Sequence, residues 1–225
     1  MLPRLPSCVP CVDGRTGSRE RRHRALVDAA RSLATEHGAA GFTVDQVATL
    51  AGVSRRTVFN HFGGVDQLLV AVCEQILDDA VEDLVAGIDR HHARPAGHDD
   101  DRDLSVMTAV EQAARDVDLA TAIATIHHAL GLPVEPDERA EQIAQTAFAH
   151  VGDRLRAEIQ QRSPDLDPLD LELGLVLLTT GIGALARLWI EQHPDIGPDV
   201  PTEARAEWEQ LMDRLLHRLR VGHTR

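Results

Sequence analysis

The sequence contains no lysine and no tyrosine, and aromatic residues make up only 3% of its 225 positions. Its three cysteines, Cys8, Cys11 and Cys73, are too few and too unevenly spaced for a disulfide framework, which favours a reducing cytoplasm. It also lacks a nucleophile–base pair, a phosphate-binding loop and a spaced metal motif. These absences predict a protein that is not an enzyme and that holds no cofactor and no metal.

Long apolar runs are missing as well. The best candidate for a membrane span, Leu173–Ala186, is an uncharged run of 14 residues, a length more typical of a buried helix than of a membrane span. The first 15 residues include three prolines and no continuous apolar segment, so they do not resemble a signal peptide. We expect residues 1–17 to form a disordered tail on a cytoplasmic protein without membrane contact.

Charge is distributed unevenly along the chain, although the net formal charge is −13. Residues 1–64 hold nine arginines and five acidic residues, a formal charge of +4, whereas the remainder carries −17. A basic head on an acidic body is typical of a protein that meets a polyanion at one end only.

Apolar residues recur at helical spacing, and no segment shows strand alternation, so the predicted fold is all-α with about nine helices. A three-helix head is expected over residues 18–64 and a helical bundle over residues 65–225. The helices are predicted at Ser18–His37, Val44–Leu50, Arg55–His61, Val65–Ile88, Leu104–Asp116, Leu119–Leu130, Asp137–Arg162, Leu169–Gln192 and Thr202–Val221.

The most informative stretch is FTVDQVATLAGVSRRTVFNHFGGVDQLL, residues 42–69. Thr43 with Gln46 forms a capping-box pattern, and Ser54 is placed to cap the next helix. Gly52 lies between the two short helices, which is the geometry of a helix-turn-helix. The second short helix leaves a face of hydrogen-bonding side chains without an acid, and such a face fits the major groove of DNA.

This stretch and its flanks, about residues 19–70, resemble the TetR family of helix-turn-helix transcriptional regulators. The similarity consists of a basic arm, G-A-A-G-F-T, and the pattern G-V-S…F-x-H-F. The resemblance implies a homodimer that binds operator DNA, most simply as a repressor, and that a small molecule releases. From the side-chain chemistry together with the resemblance, the expected DNA contacts are Arg19, Arg21, Arg22, Thr43, Arg55, Arg56, Thr57, Phe59, Asn60 and His61. The family usually has tyrosine where this chain has Phe59, so one phosphate-binding hydroxyl is missing.

The bundle is the predicted site of ligand binding and dimerisation. Candidate ligand contacts are Met107, Ile123, His127, Phe148 and Leu177. Aromatic residues outside the head are few, so an apolar or acyl-like effector is favoured over a flat aromatic cation. The last two helices resemble the family's dimer interface, with candidate contacts at Leu178, Ile182, Leu185, Trp189, Trp208, Leu211 and Leu215.

Four alternatives stay open at this point. The protein is either a regulator or a helical adaptor of the same fold that no longer binds DNA specifically. Cys8 and Cys11 form either a redox or metal pair or part of a flexible tail. The His91–Asp101 segment is either a metal-sensing loop or a solvated connection. His127 either contacts the ligand or is a satisfied core histidine, whereas Cys73 is expected to be a small core residue.

Overall fold

In a computed structural model, the chain is described over residues 14–38, 41–92, 102–131 and 138–223. These ranges contain nine α-helices and no strand, which confirms the predicted fold class. The helices are α1 (Gly14–His37), α2 (Val44–Leu50), α3 (Arg55–His61), α4 (Val65–His92), α5 (Arg102–Asp116), α6 (Leu119–Leu130), α7 (Glu138–Arg162), α8 (Pro168–Gln192) and α9 (Thr202–His223).

The first helix begins four residues earlier than predicted, at Gly14 instead of Ser18. The expected tail therefore ends at residue 13, and what precedes Gly14 lies outside the described residues. Glycine and threonine are poor helix formers, so local propensity gave no sign of this extra turn. In the structure Arg21 donates from Nε to the Gly17 carbonyl at 3.0 Å, which ties the added turn to the rest of α1.

Helix ends in the head follow local chemistry, and the predicted caps are confirmed. The Thr43 side chain and Gln46 form both hydrogen bonds of a capping box, and Ser54 Oγ accepts from the Thr57 amide. Gly38 ends α1 with a φ of 68°, and Gly52 takes a φ of 66° in the turn between α2 and α3. Only glycine adopts this left-handed conformation without strain, which is why the chain turns at these positions.

Helix α4 connects the head to the bundle and packs against α1, α5, α6 and α7. Its buried face includes Leu68, Leu69, Val72 and Ile76, which continue the core of the head into the core of the body. The head core itself is closed by a compact apolar set: Leu26, Phe42, Val47, Val58 and Phe62. The orientation of the head is therefore coupled to the position of α4.

Helix α6 is held at both ends by the C-terminal part of the chain. Arg205 bonds Asp118, the N-cap of α6, and donates to Thr121 Oγ1 at 2.9 Å. Although desolvation opposes the change, hydrogen bonds from Thr121 and Arg205 lower the pKa of Asp118 below its ordinary value. At the other end, His127 Nε2 lies 3.0 Å from the Pro194 carbonyl. The last turn of α6 is thus held in place by the C-terminal part of the chain. It lies close to the end of α1, since a Cβ on Gly38 would lie 3.4 Å from a carbonyl of α6.

Gly87 of α4 lies directly against Ala113 of α5. A Cβ added there would lie 2.8 Å from Ala113 Cβ and 3.2 Å from its Cα, so the two helices would have to separate. We expect Gly87→Ala to lower the free energy of unfolding by about 1–3 kcal/mol, measured by urea denaturation. The matched control is Gly152→Ala on α7, where a Cβ meets nothing within 4 Å and should stabilise by roughly 0.5–1 kcal/mol. Equal stability of the two variants would contradict the prediction.

Candidate nucleic-acid interface

The second short helix, α3, presents the polar face that the sequence predicts. Arg55, Arg56 and Asn60 are exposed, whereas Val58 is buried in the head core and anchors the helix from below. No acidic residue lies within α3. The helix is seven residues long, and its free face therefore carries cationic and amide donors suited to base edges in a major groove.

Arg55 does not extend freely from this face. Its Nη1 lies 3.1 Å from Oδ2 of Asp45 on α2, and its guanidinium carbon lies 5.6 Å from the centroid of the Phe59 ring. Phe59 is 45% exposed, which is unusual for a large apolar side chain. The neighbouring Arg56 has no carboxylate partner within the described part of the chain. The two arginines of α3 therefore differ in how far they are restrained.

Two of the smaller predicted contacts are involved in capping. Thr43 Oγ1 accepts from the Gln46 amide at 3.3 Å, and Thr57 Oγ1 lies 2.8 Å from Ser54 Oγ. Both threonines stand at a helix start, where unpaired amides and the positive end of the helix dipole favour anions.

The basic arm on α1 lies beside α3. Arg19, Arg21 and Arg22 are all exposed, and the next residue, His23, stacks on Phe62 with ring centroids 4.8 Å apart. His23 also lies 6.1 Å from the ring of His61. Desolvation, with the nearby His23, Arg19 and Arg22, lowers the pKa of His61 below its ordinary value, which favours the neutral imidazole. A neutral imidazole keeps one N–H donor and adds no charge to the surface.

Sequence analysis missed two members of this surface, Asp45 and His23. Asp45 precedes its partner Arg55 by ten positions, and the pairing depends on how α2 crosses α3, which no local pattern reports. His23 falls on α1 one turn after Arg19, but a lone histidine in a basic arm carries no distinguishing signal. Neither residue could be assigned to this surface without the three-dimensional structure.

The predicted ligand contacts differ in their burial. Ile123 and His127 are buried on α6, and Phe148 is partly buried against the core. The Leu177 side chain on α8 is 47% exposed. The Met107 side chain lies outside the described residues. His127 keeps one nitrogen, Nδ1, buried without a hydrogen-bond partner.

A separate open cleft lies between the start of α4 and the start of α7. Its volume is about 380 Å³, and an ion pair between Asp66 and Arg139 spans it. Its remaining lining includes Gln67, Val70 and Gln142, so polar and apolar groups both contribute to it. None of the predicted ligand contacts lines this cleft.

The predicted dimer contacts divide into two groups. Leu178, Trp189 and Trp208 are buried inside the protomer, and Trp189 donates from Nε1 to the Ala204 carbonyl at 3.0 Å. The others are half-buried: Ile182, Leu185, Leu211 and Leu215. The apolar side chains that α8 leaves exposed are instead Leu169, Leu173, Val176, Leu177 and Leu188.

Helix α8 is, by length and composition, the one helix in the described ranges that could cross a membrane. It packs against α7 and α9, and 28% of the candidate span is buried inside the protein. Cys73 is fully buried, and burial raises the pKa of its thiol to about 12, as expected of a core residue. Cys8, Cys11, the side chains of His91 and His92, and residues 93–101 lie outside what the structure describes.

Fold and surface together define an all-helical protein with an N-terminal helix-turn-helix. A profile of the family described as "Bacterial regulatory proteins, tetR family" matches residues 26–72. Over these residues the chain is therefore similar to the TetR family.

Known proteins resemble the chain in sequence and in fold. A segment of 74 residues is 38% identical to the HTH-type transcriptional regulator BetI of Brucella anthropi, and one of 74 residues is 34% identical to that of Rhizobium meliloti. These alignments cover 33% of this chain, 38% of the first relative and 36% of the second. Over its whole length, the fold is similar to a protein assigned to the TetR family from Mesorhizobium loti. That comparison has a TM-score of 0.53 at 16% identity and covers 89% of this chain and 95% of the other.

Proposed function

We propose that the protein is a transcriptional repressor that binds a roughly palindromic operator as a homodimer and leaves it when a small molecule binds the body. The observation that carries the proposal is the exposed, acid-free face of α3 with Arg55, Arg56 and Asn60. An arginine can donate a bidentate pair to guanine, and an asparagine can do so to adenine. The basic charge of residues 1–64 and the exposed arginines of α1 support additional phosphate contacts.

The experiment that tests this function is binding of the full-length protein to its own upstream DNA. Fluorescence anisotropy is measured at two salt concentrations with excess non-specific competitor. Competitor-resistant, salt-dependent binding supports the regulator. If the protein does not bind its upstream DNA, bound fragments are selected from the whole genome. Absence of any enriched fragment would support the alternative, a helical adaptor that no longer binds DNA specifically.

Dimerisation is proposed through the exposed apolar face of α8, defined by Leu169, Leu173, Val176, Leu177 and Leu188. A contiguous apolar surface on a helix of a soluble protein is typical of a subunit interface, and a two-fold dimer matches a two-fold operator. Half-buried Ile182, Leu185, Leu211 and Leu215 border it and would lose their remaining exposure. We propose this interface, and not a lipid contact, as the reason for the apolar composition of α8.

The double variant Leu173→Glu, Leu177→Glu is expected to convert the dimer to a monomer, because each interface would bury four unpaired carboxylates. Sedimentation velocity measures the change in mass. The matched control is Leu50→Glu, since Leu50 is also a large exposed apolar residue, 57% exposed, but lies on the head. A double variant that still sediments as a dimer would place the interface elsewhere.

The effector is proposed to be apolar or acyl-like and to enter the body between α4 and α8. Both tryptophans of the body are committed to the core, with their rings 5.4 Å apart in an edge contact, so few aromatic walls remain for a flat cation. Buried Ile123 and the unpaired Nδ1 of His127 offer an apolar wall with one polar anchor. In the anisotropy assay, fatty acyl compounds are compared with aromatic cations as releasing agents.

Release requires that ligand binding in the body changes the position of the head. Arg31 and Asp28 of α1 bond Asp79 and Gln75 of α4 at 2.8 and 2.7 Å, so α1 moves with α4. A ligand that binds better when α4 is displaced would shift the two heads away from the spacing of successive major grooves. The bacterial relatives and the buried thiol of Cys73 support a cytoplasmic protein.

A further inference from the structure

Asp45, Arg55 and Phe59 form a three-membered cluster on the DNA-facing side of the head. The Asp45 carboxylate bonds one side of the Arg55 guanidinium at 3.1 Å, while the Phe59 ring centroid lies 5.6 Å from its central carbon. Asp45 and Arg55 belong to different helices, α2 and α3, and their side chains are 63% and 62% exposed. The guanidinium is therefore restrained from two directions before any DNA arrives.

Stability does not account for this arrangement. An ion pair between two side chains this exposed contributes little to folding. A carboxylate on a DNA-facing surface also repels phosphates, so Asp45 reduces the electrostatic attraction that every sequence shares. The Phe59 ring lies near the guanidinium while it is itself 45% exposed.

We propose that Asp45 and Phe59 are positioning residues that hold Arg55 in the orientation in which it contacts one base pair of the operator. Arginine has five N–H donors, so the bond from Nη1 to Asp45 leaves others for the two acceptors of a guanine. Restraining the side chain in advance lowers the entropy lost when it binds. Phenylalanine in place of the family's tyrosine then has a function of its own, because its ring supports the guanidinium by a cation–π contact.

The inference rests on the proposed function and extends it. It predicts that the affinity for DNA and the selectivity for sequence change in opposite directions when Asp45 is substituted. Loss of the Asp45 charge should strengthen binding to any DNA and weaken discrimination at the one position that Arg55 contacts. A residue that acted only as a surface charge would change the affinity for all sequences by the same factor.

The test selects bound sequences from a random duplex library with the full-length protein and with the variants Asp45→Asn, Phe59→Leu and Arg55→Ala. The expected result is that Arg55→Ala abolishes base preference at one position of each half-site. Asp45→Asn and Phe59→Leu should relax preference at the same position, by roughly tenfold, and leave the other positions unchanged. Asp45→Asn should also bind a non-specific duplex more tightly than the wild type does.

The matched control is Glu36→Gln, which removes one exposed negative charge from the far end of α1, where Glu36 lies 3.7 Å from His37. It should leave base preference unchanged at every position. Unchanged preference in Asp45→Asn and in Phe59→Leu, together with enrichment of a sequence by the wild type, would overturn the inference and leave the proposed function standing. If the wild-type protein enriches no sequence, the proposed function fails and the inference with it.

Discussion

The double variant Arg55→Ala, Arg56→Ala is expected to bind the operator roughly 30- to 10⁴-fold more weakly than the wild type. Each bidentate contact between a side chain and a base contributes about 1–3 kcal/mol of discrimination, and both arginines lie exposed on the free face of α3. Neither side chain belongs to the head core, so the circular dichroism spectrum and melting temperature should be unchanged. Fluorescence anisotropy with a labelled operator measures the loss.

A matched control removes two positive charges from the body. Arg115 and Arg156 are paired with Asp213 and Glu172, far along the chain from the head. The variant Arg115→Ala, Arg156→Ala has the same net charge as the test variant and should keep operator affinity within about twofold, because exposed charges beyond a Debye length are screened. If both double variants bind as the wild type does, the helix-turn-helix is not the DNA-binding surface.

The head was predictable from sequence because its structure is determined by local chemistry. The caps at Thr43 and Ser54 and the left-handed glycines at positions 38 and 52 act within a few residues of themselves. The bounds of α2 and α3 therefore agree with the prediction at both ends. The bond between Asp45 and Arg55 was not predictable, because it depends on the crossing of two helices and not on the composition of either.

Replacing Trp189 with alanine is expected to lower the free energy of unfolding by about 3–5 kcal/mol, the largest stability effect that we predict. Trp189 is the largest fully buried side chain in the described residues, and its ring lies edge-on to Trp208. The substitution leaves a cavity between α8 and α9 and removes the donor for the Ala204 carbonyl. Urea denaturation followed by circular dichroism, at two protein concentrations, measures the loss.

The neighbouring Leu188→Ala is the control for this substitution. Leu188 is 48% exposed in the protomer, so its truncation should change the stability of the protomer by less than about 0.5 kcal/mol. If it lies in the dimer interface as proposed, its effect should be larger at the higher protein concentration, where dimerisation contributes more to stability. If Trp189→Ala caused the dimer to dissociate without lowering the free energy of unfolding of the protomer, Trp189 would belong to the interface and not to the core.

Helix α8 shows why the body was harder to predict than the head. Its sequence is apolar nearly all round, so the pattern indicates burial on more than one side without indicating which side faces inward. The structure places Leu178 inside and the adjacent Leu177 outside, although both are leucines in the same turn. The difference between the two leucines arises because α8 packs against α7 and α9. The sequence pattern of α8 alone does not show on which side these helices lie.

The attachment of α6 by the C-terminal region has a consequence for the order in which the chain folds during synthesis. The partners of Asp118 and His127 follow them by 87 and 67 positions, so α6 leaves the ribosome well before the groups that fix its two ends. The residues that close the head core, by contrast, all lie between Leu26 and Phe62. The two parts of the chain therefore mature at different times, since domains generally fold as they emerge. The head completes its structure early, and the body is fixed only when the last helix is released.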